Sequence, residues 1–446
     1  MGALAGAGWA AYLHVGRTPG ELIDYAKKRL EGHDKLQWLA LPFLDAAVGF
    51  LGEPNALDRA LPFTVPPPTA PRERWSASQG PSSSGDPLRV LVGPGRAITS
   101  LALASQLAPD GAVVEVDPAD YVGDVAVWLQ KKLTIRGTAP GVRLFAAGRS
   151  AEGKAIWVIR NGNFLVENIE FIGARVTDRN GAGIRFEGGD LLVRKSRFYG
   201  NENGILGGDG EKSSLAIEDC EFAFNGSGDG LSHGIYVGVG HLRLTGNYFH
   251  HSNVGHLVKS RSRYNRIEYN RFSDEAGGRA SYELEFPDGG IAELVGNFIQ
   301  QGPGTLNSVI VSMGAESYAW PENRLVMAHN TVVNDRRFGG TFVRVVPGAE
   351  PSLLLNNLWV GPGRVSKGGP AISTGNQRVD WASFVQPARL DYRLNDGARA
   401  SVEPHRLAAV PQKFQPVREY LHPAQTQVLK DPPRYPGAFQ SGAPLK

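Results

Sequence analysis

Cysteine is almost missing from this chain. Its single copy, Cys220, cannot form a disulfide within the chain. That removes the disulfide-stapled class of small folds and says little about compartment. A dominant charge sign is missing too. Lys and Arg number 47 against 44 Asp and Glu, a formal +3, so no general attraction to nucleic acid is implied. Long apolar runs are scarce. The apolar opening, MGALAGAGWAAYL over residues 1–13, is too short to span a bilayer and lacks the basic start of a signal peptide. Nor does the body of the chain carry long apolar stripes of period 3.6, which disfavours helical solenoids.

What is present is a repeat. Eight segments share one phrase: VENIEF, VRKSRF, IEDCEF, LTGNYF, IEYNRF, LVGNFI, MAHNTV and LLNNLW. Their fourth positions are Ile169, Ser196, Cys220, Asn247, Asn270, Asn297, Asn330 and Asn357, in steps of 27, 24, 27, 23, 27, 33 and 27 residues. Self-similarity at this period marks a stacked repeat architecture. Each copy holds two or three short strand-like runs broken by Gly, Asn and Asp, and glycine reaches 56 residues. Stacked units of this kind form parallel sheets along a solenoid, with open edges only at its ends. An inward asparagine at each bend can bond both backbone and the amide of the next coil. The five asparagines are therefore expected in one buried column, as turn and ladder residues rather than ligands, and Cys220 falls on the same column.

The ends differ from the body. GELIDYAKKRLEGH and LQWLALPFLDAAVGFL read as helices, Leu22, Tyr25, Ala26 and Leu30 lying at helical spacing. Residues 1–65 form a small helical segment, its apolar start being either the stub of a membrane anchor or a frayed terminus. Residues 66–87 are a Pro/Ser/Gly-rich linker. Strands begin at Leu88. AITSLALASQLA reads as a short helix, capped by Thr99 or Ser100, that covers the open end of the core. The repeats run to about Gly363, giving a solenoid domain over 88–377. A Pro-rich tail, 378–446, is expected to pack extended along its outside.

The coil phrase, HGIYV at 233–237 and the run from His256 to Gly302 resemble the right-handed parallel β-helix proteins of the pectate-lyase-like superfamily, over about residues 88–363. The resemblance implies an all-β fold, a right-handed parallel β-helix with a capping helix. It also implies action on polysaccharides, as lyase, hydrolase or epimerase, or binding alone, since one fold hosts many chemistries.

Aligning three coils on their asparagines stacks His233-Gly-Ile-Tyr236-Val over His256-Leu-Val-Lys259-Ser and Tyr282-Glu-Leu-Glu285-Phe. With Ile235, Val258 and Leu284 pointing inward, alternation turns Tyr236, Lys259 and Glu285 out to solvent, and His233, His256 and Tyr282 are expected as a second solvent-facing column beside them. The patch spans about 10 Å by 7 Å. If the strand continues, Lys259, Arg261 and Arg263 share a side, and a lysine flanked by guanidiniums suits a carboxylate or sulfate. Glu283, Glu285 and Asp288 stand against them, to orient the cations or to bind a divalent metal. The Asp288-Gly-Gly run reads first as a turn.

β-Elimination on a uronate needs a base beside the carboxylate and cations for the enolate. Lys259, His256 and Tyr236 are the candidate bases, with His233 in the same catalytic group. Arg261, Arg263, Tyr282, Glu283 and Glu285 are the candidate substrate contacts. VKSRSRYNRIEYN is similar to the lysine-bearing coil of β-helical alginate and chondroitin lyases. That family places a catalytic arginine on the next coil, where this chain has Glu285. Its acidic calcium ligands have no clear counterpart, so calcium stays open as a cofactor. The clustered aspartates of the polygalacturonases are missing, which disfavours hydrolysis. The expected function is a polysaccharide lyase on an anionic polymer, with a uronate C5-epimerase and a noncatalytic binding or export scaffold as alternatives. The expected setting is periplasmic or extracellular, with a membrane tether at the N-terminus as one reading of the stub.

Overall fold

The computed structural model describes residues 64–68, 88–208, 210–305, 307–402 and 407–441. The helices expected within residues 1–65 and nearly all of the 66–87 linker lie outside them. The chain is a right-handed parallel β-helix of about 10 turns. Three sheets run its length: sheet I with 12 strands, sheet II with 10 and sheet III with 11. One coil shows the pattern. Ile235–Val237 lies in sheet II, Val239–Thr245 in sheet I and Tyr248–His250 in sheet III. Each strand pairs in parallel with its counterpart one coil away, as Leu242 with Asn265 and Phe249 with Phe272.

The corner between sheets I and III explains the coil phrase. The residue before each ladder position turns in the left-handed region, as at Lys195, Asp219, Gly246, Tyr269, Gly296, His329 and Asn356. The next side chain then points inward. Asn247 Nδ2 donates to Asn270 Oδ1 (2.9 Å), Asn270 to Asn297 (3.0 Å), Asn297 to Asn330 (3.0 Å) and Asn330 to Asn357 (3.0 Å). Each amide also serves backbone, as Asn297 Nδ2 does at Ile267 O, 2.8 Å away. Asn376 adds a further rung, its Oδ1 accepting from Asn357 Nδ2 at 2.8 Å. Cys220 lies buried in the column, its backbone N–H donating to Asn247 Oδ1 at 2.9 Å. A second, shorter pairing joins Asn201 and Asn225 at the far corner of sheet III.

Between the sheets the core is apolar and stacked. Phe171, Phe198, Phe222, Phe249 and Phe272 overlap at 4.6–5.0 Å between ring centroids. This matches the spacing of hydrogen-bonded strands, about 4.8 Å, so one ring per coil fills the interior in register. At the N-terminal end lies helix α1, Leu101–Leu107, capped by Ser100 Oγ. The Asp124 carboxylate takes two more of its first N–H groups, at Leu101 (2.6 Å) and Ala102 (2.9 Å). Leu101 and Ala104 pack into the core and close its end. Beyond Val379 the chain forms short 3₁₀ turns, a helix over Asp396–Val402 and the antiparallel pair Arg418–Leu421 with Gln425–Val428. These lie against the outer face of sheet III, where Tyr392, Tyr420 and Phe439 cluster with Phe298, Val333 and Val360. Among the described residues no helix is long and apolar enough to cross a membrane.

Candidate functional site

Sheet II stacks Tyr236 on Lys259 and Lys259 on Glu285 by direct pairing, and Ser312 follows on the next coil. Val258 and Leu284 beneath them are buried. The alignment of the three coils therefore holds through this column. His233, His256 and Tyr282 precede the strands, in the turns that enter sheet II. A straight strand would place His233 and Tyr236 on opposite faces. Because the strand begins only at Ile235, the turn brings the imidazoles to the Lys259 face. His233 packs edge-on against Tyr236 at 5.3 Å, and its ring lies 4.5 Å from that of His256, which meets Tyr282 at 4.9 Å. At Gly234 a Cβ would come 2.5 Å from Leu257 O, so glycine permits this tight entry.

The charges form one network. His256 Nε2 lies 2.9 Å from Glu285 Oε2. Lys259 Nζ lies 3.6 Å from the same oxygen and 2.8 Å from Glu316 Oε1, with the Tyr236 ring 5.4 Å away. Arg261 Nε donates to the Tyr236 hydroxyl at 2.9 Å, Nη1 to Asp288 Oδ1 at 2.6 Å and Nη2 to Glu316. Burial pushes the Glu285 carboxyl up, but the His256 hydrogen bond and the charges of His256 and Lys259 outweigh it and hold the group below the ordinary range. Burial, then the neighbouring His256, Lys259 and Arg261, drives His233 well below an ordinary histidine. His233 is therefore the neutral ring, and its Nδ1 accepts from the His256 backbone N–H at 3.0 Å. Asp288 both opens the turn at Gly289 and Gly290, which lie in the left-handed region, and holds Arg261.

Three expectations need correction. The face is not open to solvent: His233, His256 and Glu285 are 2%, 7% and 4% exposed. The segment 314–323 lies across its Lys259 and Arg261 end. Its Glu316 and Ser317 N–H groups donate to Pro287 O at 3.0 Å, Trp320 Nε1 donates to Arg261 O at 3.1 Å, and Glu316 meets both cations. Glu283 is not on this face at all. It stands one coil above the core residue Leu257 and is fully buried, facing Gln301 (3.5 Å). Burial, then Asp274, pushes its carboxyl well up, so it is an interior acid. Arg263 also leaves the group, because the sheet II strand ends at Ser260; it pairs with Glu211 and lies over the Tyr264 ring at 5.2 Å.

Sequence reasoning missed Glu316. It lies 57 residues from Lys259 and 55 from Arg261, in a loop with no part in the repeat, and no local signal points to it. Each carboxylate of the network already faces a side-chain cation. The residues present are thus those of an ion-pair cluster rather than the all-oxygen cage that calcium takes.

Residues 147–272 match the model of the family described as right handed beta helix region. No curated protein matches the chain. Among solved structures the chain is similar to one described as the crystal structure of pectate lyase Pel9A, at 12% identity and a TM-score of 0.45, covering 80% of this chain and 97% of that one.

Proposed function

We propose that the protein acts on an anionic, uronic-acid-containing polysaccharide at the sheet II face, by β-elimination. The observation that carries the reading is Glu316, whose two carboxylate oxygens meet Lys259 and Arg261. Two cations spaced to hold one carboxylate of the loop are spaced to hold one carboxylate of a sugar. In that pose Lys259 and Arg261 neutralise the uronate and the enolate that forms on proton loss. Exposure separates the candidate bases. His256 is nearly enclosed and holds Glu285, whereas Tyr236 is half-buried and its oxygen accepts from Arg261. Tyr236 is the candidate base, and Arg261 is placed to stabilise the charge its oxygen would carry. His233, His256 and Glu285 position Lys259.

A polymer of this kind lies outside the cytoplasm, so the protein belongs in the periplasm or beyond. Finding the native full-length chain wholly in the cytosolic fraction would remove that placement.

Incubation with a panel of uronic-acid polymers, read by ultraviolet absorbance and by sizing, tests the reaction. A lyase creates a double bond and shortens the chain; an epimerase changes composition at constant length. With a substrate in hand, Lys259→Ala and Tyr236→Phe should each lower turnover by about 10²–10⁴-fold without changing the melting temperature much. Full activity in both would move the site elsewhere. A second reading, a noncatalytic binder, is favoured by the closed ion-pair network, in which Lys259 and Arg261 are both already paired; polymer binding at this face without turnover would establish it.

A further inference from the structure

Outside that face, the structure brings His250, His251 and Glu275 together on sheet III, with one ligand atom from each mutually within 4.8 Å. His250 ends the strand Tyr248–His250. Its Nε2 lies 2.9 Å from Glu221 Oε1, and Arg197 Nε lies 3.1 Å from the other oxygen of that carboxylate. Glu221 thereby accepts a hydrogen bond from Nε2–H, which keeps the ring proton on Nε2 and leaves a lone pair on Nδ1. That Nδ1 faces His251 Nδ1 at 2.6 Å. His251 turns in the left-handed region and stacks on Phe224 at 4.7 Å, which fixes the direction of the ring. Tyr248 donates to Glu275 Oε1, and Arg271 approaches the same oxygen at 3.8 Å. His251 and Glu275 are half-buried, so the group is reachable from solvent.

We propose that His250 Nδ1, His251 Nδ1 and Glu275 bind one divalent transition-metal ion of the zinc type. Two imidazoles and a carboxylate are the donors such ions prefer, and a hard ion such as calcium would find too few oxygens. Bonds of about 2.0–2.1 Å in a tetrahedron hold neighbouring ligand atoms about 3.3 Å apart, so the two rings need part by less than about 1 Å. Glu221 acts as a positioning residue, the outer carboxylate that sets the tautomer and direction of a metal-bound histidine. Water fills the fourth position. The proposal is independent of the polysaccharide reading, because the ligands belong to a different sheet from Lys259 and Arg261.

The test is calorimetric titration of the untagged full chain with zinc chloride, with cobalt(II) as a spectroscopic stand-in. The expected result is one ion per chain and the visible bands of tetrahedral cobalt. His251→Ala and Glu275→Gln should each weaken binding at least tenfold, and Glu221→Gln by about 10–100-fold. His251 and Glu275 are half-buried, so their variants should melt like the parent in the absence of metal, which separates lost binding from lost folding. The absence of stoichiometric binding, or binding unchanged in both ligand variants, would overturn the site. The two rings would then be a hydrogen-bonded imidazole pair.

Discussion

At the scale of single residues, two carboxylates lend themselves to measurement. Glu316 occupies the place assigned above to a sugar carboxylate, and its side chain is half in solvent. A substrate would have to displace it. Glu316→Gln removes the competing charge while keeping the shape, so it should tighten binding of an acidic polymer several-fold, measured by affinity electrophoresis or calorimetry. Weaker binding in that variant would mean that the loop acid holds the cations in place rather than standing in for the ligand. Asp219 sits in the left-handed turn before Cys220, and burial, then the charge of Glu218, pushes its carboxyl up to about 6. The sign follows from the protons bound. Between an unfolded value of about 3.9 and about 6, the folded chain holds a proton that the unfolded chain has released. Stability from this group is therefore complete below about pH 4 and lost as pH rises through 6. Asparagine accepts the same backbone conformation and never ionises. Asp219→Asn should thus melt higher than the parent at pH 7 and about level with it at pH 4. A constant difference across that range would contradict the assignment.

At the scale of the element, the coil is what the sequence states most openly. The inward asparagine recurs because each rung needs a group that both donates and accepts, and that chemistry leaves a fixed letter at a fixed step. Asn297 shows the energetic stake. Its amide serves Ile267 O and Asn330 Oδ1, and it accepts from the backbone and side chain of Asn270. Asn297→Ala orphans several buried groups at about 1–3 kcal/mol each, so it should cost about 3 kcal/mol or more in denaturant unfolding. Asn376, at the half-exposed last rung, should cost clearly less; equal losses would mean that the column does not act through burial. The same logic shows what sequence could not reveal. His233 and Glu283 are expected on the solvent face, but both lie in the turns before the sheet II strands, where alternation does not hold. His250 and His251 are silent in the coil phrase, because they follow its end and meet Glu275 only through stacking of the next coil.

At the scale of the whole molecule, two faces of the solenoid have different fates. Sheet II carries the charged network under the 314–323 segment. Sheet III is apolar on its outside over its C-terminal coils, which is unusual for a face that would otherwise meet water. Phe298, Val333, Leu358 and Val360 are buried there because Phe384, Tyr392, Leu394, Tyr420 and Phe439 lie over them, with Phe298 4.7 Å from the Tyr392 ring. The tail's Pro-rich composition hides this role, since its apolar residues are spread among turns and follow no period. A chain ending after Val379 would leave a contiguous apolar patch of the kind that drives association. It should bind a hydrophobic dye, self-associate on size exclusion and melt lower than the full chain. A milder variant, Tyr392→Asp, keeps the tail and places one charge against Phe298; it should shift the same three readings in the same direction by a smaller amount. A truncated chain that stays monomeric and melts like its parent would mean that the outer face of sheet III tolerates water, and that the tail serves something other than covering it.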